Sequence, residues 1–239
     1  MTNHETATRD EWLTARLDLM KAEKELTRQN DDLARRRREL PWVPIEADYV
    51  FDTEDGEATL ADLFHGRSQL IMYHFMYAPE WDQGCPSCSG VADGFDETHL
   101  HLQNHDVAFT AVSRAPLDQL VTYRERMGWG FPWVSSGRSE FNFDFNVSFT
   151  AESVTKGQSY NYVPLEGWQL DPANLPFEGP GMSAFAREGD AVFHTYSAFT
   201  RGVDALWPMW QWLDRAPLGR NEGDSSWFRR HDQYEQSYR

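Results

Sequence analysis

The chain has 239 residues, with 38 acidic against 22 basic side chains and a net charge of −16. That balance argues against a nucleic-acid surface, which needs Lys and Arg clustered on one face. A chain of this length can bury a sizeable core without staples, and two cysteines are too few to form a scaffold. No apolar run approaches the length that crosses a bilayer, and Met1 to Asp10 lack a basic-then-apolar leader pattern. The expectation is a cytoplasmic protein with neither membrane nor nucleic-acid partners. Ten Trp suit an aromatic-lined pocket or a buried interface.

Residues 9 to 40 predict one long helix, with Thr8 as N-cap and Pro41 as the stop; Trp12, Leu13, Leu17, Met20, Leu26, Leu33 and Leu40 form its narrow apolar stripe. The basic run Arg35 to Arg38 falls in its last turn, where positive charge favours the helix dipole. Such a helix either lies on its own domain or serves as an arm through which a homodimer forms. Tyr49 to Phe51, the Asp55-Gly56 turn and Ala58 to Leu60 read as a hairpin. It feeds the apolar strand Gln69 to Met76. A loop follows, and then a helix from Cys85 to about His101, opened by the only two cysteines.

Asp106 to Ser113 is a near-continuous apolar run suited to a parallel strand buried on both faces. A helix from Leu117 to Met127 is closed by Gly128, a strand spans Phe131 to Ser136, and Phe141 to Val147 is a short element of uncertain type. Residues 151 to 180, broken by Pro164, Gly167, Pro172, Pro176, Gly179 and Pro180, read as an irregular insertion over the site. Ser183 to Ser197 reads as a hairpin turning at Glu188-Gly189-Asp190, and Val203 to Leu213 as a final helix. The expected domains are therefore a helical arm, 1–41, a main domain, 42–219, and a polar C-terminal extension, 220–239.

Cysteines two residues apart at a helix N-terminus can close a small disulfide, and the unpaired N–H groups there favour the first thiolate. A bare C-x-x-C also fits a metal half-site, and two cysteines can be no more than small buried hydrophobes. Alternating strands and helices indicate βαβ units around a central sheet.

The order hairpin, strand, C-x-x-C helix, strand, helix, strand, hairpin, helix resembles the thioredoxin-like arrangement. Thr110-Ala-Val-Ser113, Gly128-Trp-Gly-Phe-Pro-Trp-Val-Ser135 and Phe145-Asn-Val147 are similar to its peroxiredoxin-type branch. More closely, Tyr73-His-Phe-Met-Tyr77, Gly84-Cys-Pro-Ser-Cys-Ser89, Val112-Ser-Arg-Ala-Pro-Leu117, Arg126-Met-Gly-Trp129 and Val192-Phe-His-Thr-Tyr-Ser197 resemble a bacterial thioredoxin-like family of unknown function, described as predicted dithiol–disulfide oxidoreductases. The resemblance implies an α/β fold: a thioredoxin-like central mixed sheet flanked by helices, here with the long N-terminal helix and an irregular C-terminal extension. The sequence departs from the better-known relatives in two places. Asp82 stands where peroxiredoxins place a hydroxyl three residues before the reactive cysteine, and its charge would raise the Cys85 pKa. The thioredoxin cis-proline has Pro180, in Gly179-Pro-Gly-Met-Ser183, as its displaced counterpart.

Three functions follow from this. As a dithiol–disulfide oxidoreductase acting on a thiol, a disulfide or a small molecule and needing no cofactor, the protein would attack with Cys85 and resolve with Cys88. Arg114 would lower the Cys85 pKa or hold a substrate anion, and Trp81 and Trp129 would line the substrate groove. As a copper protein or copper-dependent oxidative enzyme, it would bind the metal through Cys85, Cys88 and a histidine, His194 first and His74 next. As a non-catalytic assembly module, it would use the N-terminal helix and leave the cysteines as packing. His99, His101 and His105 read as surface positions.

Overall fold

The computed structural model describes residues 5–165, 175–220 and 228–234. They fall into two compact units, Met1–Pro41 and Trp42–Arg239. The first is essentially helix α1, Arg9–Arg38. Thr8 and Glu11 close a capping box at its N-terminus, four arginines occupy its last turn, and none of its residues is buried.

The second unit is built on an eight-stranded sheet. Its strands are β1 (Val43–Pro44), β2 (Val50–Thr53), β3 (Gly56–Thr59), β4 (Gln69–His74), β5 (Val107–Ser113), β6 (Trp133–Ser135), β11 (Gly181–Glu188) and β12 (Ala191–Phe199). Their order across the sheet is β1-β12-β11-β4-β5-β6-β2-β3. The interior strands β4, β5 and β6 run parallel, while β11 lies antiparallel to β4 and β12 antiparallel to β11. All seven residues of β5 are buried, as a strand covered on both faces requires. A parallel pair joined through a helix and followed by an antiparallel hairpin, in the order β5-β4-β11-β12, is the thioredoxin-like arrangement. The mixed α/β fold expected from the sequence is therefore present.

Several helices and short strands connect these elements. Helix α2 (Pro86–Phe95) and helix α3 (Thr98–Gln103) stand where a single helix was expected. Asp96 interrupts them, turning its carboxylate to the N–H groups of Gly130 and Phe131 at 2.7 and 3.2 Å. His99, expected at the surface, is buried there and bonds through Nδ1 to the Asp96 carbonyl. Helix α4 (Leu117–Met127) ends on Gly128 in the left-handed region, the expected C-cap.

Phe141 to Val147 resolves into the short helix α5 (Phe141–Asp144) and the connection to β7 (Ser148–Phe149). The described part of 151–180 is less irregular than the prolines suggested. It holds helix α6 (Ala151–Thr155), the pair β8 (Ser159–Tyr160) and β9 (Val163–Pro164), and β10 (Phe177–Glu178), which pairs with β7. Gly167 and Pro172 lie outside the described residues, as do 221–227 and 235–239 of the C-terminal extension. The final helix divides at Pro208 into a 3-10 stretch, Thr200–Leu206, and helix α7 (Pro208–Leu213), because proline cannot continue the preceding turn.

Alternation along β4 gives the sheet two cores. Tyr73 and Phe75 join Cys88, Trp129 and Trp133 on the face covered by α2 and α4. Leu70 and Met72 join Phe141, Phe145 and Phe185 on the other.

Candidate functional site

The loop between β4 and α2 is pinned at both ends. Phe75 N donates to Val112 O at 3.0 Å, Ala115 N to Tyr77 O at 2.9 Å, and Cys85 N to Met76 O at 3.1 Å. Gly84 must be glycine, because a Cβ there would meet Phe75 Cε1 at 2.7 Å and Tyr123 Cε1 at 3.0 Å. Cys85 is thereby placed as the N-cap of α2, with Pro86 in the first turn, where its missing N–H costs nothing.

The two cysteines are free thiols in unequal surroundings: Cys85 is half-buried and Cys88 is 1 % exposed. The Cys88 side chain and the backbone N–H groups of Cys88 and Ser87 favour the Cys85 thiolate, as does the positive charge of Arg230. Together they outweigh burial and bring the Cys85 pKa down to about 7. Burial and the neighbouring Cys85 push the Cys88 thiol in the opposite direction, far above the ordinary thiol value. The fully buried hydroxyl of Tyr73 sits against Cys88 and has no hydrogen-bond partner among oxygen and nitrogen atoms of the described residues.

The cation at this site is Arg230, from the C-terminal extension. Its guanidinium donates to Gly84 O (Nη2 at 2.5 Å, Nε at 3.2 Å) and to the Tyr123 hydroxyl at 2.7 Å. Tyr123 Oη in turn lies 2.9 Å from Ser89 Oγ, which donates to Cys85 O at 2.8 Å. The segment around Arg230 is held at three further points: the Phe228 ring packs on Trp207 and closely over Gly90, His231 Nδ1 lies 2.7 Å from Asp93 Oδ1, and Asp232 pairs with Arg126 at 2.7 Å.

Arg114 is committed elsewhere. It donates to the buried carboxylate of Glu178 at 2.9 Å, which also accepts from Ser148 Oγ at 2.5 Å, and the charge that lowers the Cys85 pKa comes from Arg230. Asp82 does not decide the Cys85 pKa. Its carboxylate is exposed, and the Cys85 pKa is lowered rather than raised. Trp81 is half-buried beside the cysteine loop and lines a cleft of 380 Å³ with Tyr77 and Tyr123. Trp129 belongs to the core, where its Nε1 donates to Asp93 Oδ1 at 2.8 Å. The larger cleft that it borders, 640 Å³, has neither cysteine in its wall.

His194 is not brought to the cysteines. It pairs in register with Phe185, which pairs with Leu70, and its ring packs on Phe145 and Phe185. It therefore lies on the sheet face opposite Cys88. His74 points the same way, stacked on Phe141 and Phe145. The two histidines are linked on that face through His74 Nε2···Ser183 Oγ (2.8 Å), Ser183 Oγ···Ser197 Oγ (2.7 Å) and Ser197 Oγ···His194 Nε2 (2.7 Å). The copper ligand set of Cys85, Cys88 and His194 is thus not assembled, and no group of three His, Cys, Asp or Glu among the described residues could hold a metal ion. Pro180 immediately precedes β11 beside the end of β4; the cis peptide among the described residues is Leu175–Pro176.

The profile of the bacterial family of unknown function DUF899 matches residues 1–234. The chain belongs to this family. None of the curated proteins matches it. Among solved structures, the DUF899 chain is similar to peroxidoxin BcpB of Mycobacterium tuberculosis, with 12 % identity, 71 % of this chain and 93 % of that one covered, and a TM-score of 0.44. It is similar also to peroxiredoxin Q of Xanthomonas campestris, with 16 % identity, 68 % and 89 % covered, and a TM-score of 0.44. Among the described residues of this DUF899 chain no helix is long and apolar enough to cross a membrane.

Proposed function

We propose that the protein is a thioredoxin-like dithiol–disulfide oxidoreductase working through Cys85 and Cys88. The observation that carries this reading is the asymmetry of the pair. A half-buried cysteine stands at the N-cap position of α2, where the N–H groups of Ser87 and Cys88 favour its thiolate, and a fully buried sulfur lies one turn further on.

In the reducing direction the Cys85 thiolate attacks one sulfur of a substrate disulfide. The Cys85–substrate S–S bond forms as the substrate's own S–S bond breaks, and the other substrate sulfur leaves as a thiolate. Cys88 then gives up its proton and attacks Cys85 Sγ, so the second substrate sulfur leaves and the Cys85–Cys88 disulfide remains. Two electrons have passed from the cysteine pair to the substrate. The reverse sequence oxidises a substrate dithiol. Cys88 is a poor nucleophile in the resting site because burial holds it protonated. Bonding of Cys85 removes the neighbouring thiolate that also opposes its ionisation, which eases the second attack. Arg230 supports the resting thiolate, and Pro86 limits the conformations of the two-residue span between the sulfurs.

The test is trapping. Cys88→Ser treated with a small disulfide should accumulate a stable mixed disulfide on Cys85, seen by intact mass and peptide mapping, whereas the native protein releases the substrate thiol and accumulates none. If Cys88→Ser acquires no adduct, or if the native protein retains its adduct as stably as the variant, the reading is wrong.

A further inference from the structure

Tyr73 places a phenol hydroxyl in the core on the α2 face of the sheet. The side chain is 2 % exposed, its ring packs against Phe95 and Phe75 at centroid distances of 5.2 and 6.3 Å, and its Oη is shielded from solvent with no oxygen or nitrogen partner among the described residues. A buried hydroxyl left in that state costs stability, and replacing it by an apolar group of the same shape removes the cost. What stands in front of it is sulfur: Tyr73 and Cys88 pack in one cluster, and the hydroxyl meets the Cys88 side chain. The backbone N–H of Met76 reaches the same sulfur from the start of the cysteine loop. Two donors therefore face a group that at rest is a neutral thiol, a weak acceptor, whereas a thiolate there would engage both strongly. Cys88 is faced also by Cys85 and by Tyr160 of β8, whose hydroxyl is already given to Pro180 O at 2.8 Å.

We propose that Tyr73 is a catalytic residue of the second exchange step: its hydroxyl, together with the Met76 N–H, donates to the Cys88 sulfur as that sulfur becomes a thiolate. This rests on the exchange reading of Cys85 and Cys88, and it supplies a means of ionising a thiol inside an apolar core. In the mixed disulfide the proton of Cys88 ends on the departing substrate sulfur, while the Cys88–Cys85 bond forms and the Cys85–substrate bond breaks. Tyr73 keeps its own proton throughout, because burial opposes its ionisation as well. In the reverse direction the same two donors receive Cys88 as it leaves Cys85 as a thiolate. The hydroxyl acts where charge develops, and neither the resting thiol nor the finished disulfide carries that charge.

The chromogenic disulfide dithiobis(nitrobenzoate), mixed in stoichiometric amount with the reduced protein, reads the two steps apart. Attack by Cys85 releases the first thionitrobenzoate, and closure of the Cys85–Cys88 bond releases the second. Tyr73→Phe keeps the ring and removes the donor, so the first release and its pH midpoint should be unchanged. The second release should slow by roughly tenfold to a hundredfold at neutral pH, with its pH profile displaced upward and the mixed disulfide accumulating by intact mass. The variant should unfold at the urea concentration of the native protein or a higher one, since an unpaired buried hydroxyl is gone. A protein no less stable whose second step alone is slow is the combination that a packing role does not produce.

A second release unchanged in rate and pH profile, both releases slowed alike, or a destabilised variant overturns the role of Tyr73 and leaves the exchange reading standing. A first release from the native protein no faster than from Cys85→Ser removes the exchange reading itself, and the role of Tyr73 with it.

Discussion

The Cys85 thiolate is favoured by the Cys88 thiol and the N–H groups of the first turn of α2, and by the charge of Arg230, which comes from a distant part of the chain. The Arg230 contribution can be removed without touching the helix. In Arg230→Ala, the midpoint of the pH profile for Cys85 alkylation by iodoacetamide should rise from about 7. An unchanged midpoint would mean that the helix terminus and Cys88 suffice. Cys88 should stay unreactive in the native protein across that range, because burial holds its thiol protonated.

On the opposite face of the sheet His74 is fully buried among Phe141 and Phe145, and burial together with the neighbouring His194 lowers its pKa to about 3. A base whose folded pKa is depressed stays neutral in the native state while the unfolded chain takes up a proton. Its contribution is therefore fully present above about pH 6.5 and is lost as pH falls from there toward 3, with a limit of about 5 kcal/mol. Urea denaturation at pH 7 and pH 4.5 should show a steep loss for the native protein and a smaller loss for His74→Gln. Equal losses would place the acid sensitivity elsewhere.

Among the elements, the C-terminal segment brings Arg230 to the cysteine loop from far along the chain. A Cβ at Gly90 would meet Phe228 Cζ at 2.5 Å and Trp207 Cζ2 at 2.9 Å. Gly90→Ala, favourable for helix propensity by about 1 kcal/mol, should thus lower stability overall by about 1–3 kcal/mol. It should also raise the Cys85 midpoint in the direction of Arg230→Ala, because it loosens the segment holding the guanidinium. A more stable protein with an unaltered midpoint would contradict that coupling.

The main elements were legible because their periods are clean: the seven apolar residues of β5, the Thr8 capping box of α1, and the Leu117–Met127 helix with its Gly128 stop. The breaks were not. Asp96 ends α2 through bonds to Gly130 and Phe131, more than thirty residues away, and no local pattern announces it. Arg230 was invisible for the same reason, since an arginine in a polar tail looks solvated until the fold carries it to Gly84. His194 falls in the expected hairpin, but on β12, which β11 separates from β4, and which face it occupies follows from the register of β11 and β12 across the bulge at Ala184/Phe185.

Across the whole molecule, the sheet keeps two chemistries apart. The cysteine pair, Tyr73 and the aromatic core lie on the α2 face, while the His74–Ser183–Ser197–His194 chain lies on the other. The proposed function rests on the first of these alone: two neighbouring thiols, one with a lowered pKa and one held protonated by burial. Counting accessible thiols in the unfolded protein before and after mild oxidation of the folded one tests this most directly. The account predicts that both thiols disappear together, that peptide mapping joins Cys85 to Cys88, and that a dithiol reductant restores both. Two thiols that persist through oxidation, or a disulfide formed only between separate molecules, would contradict it.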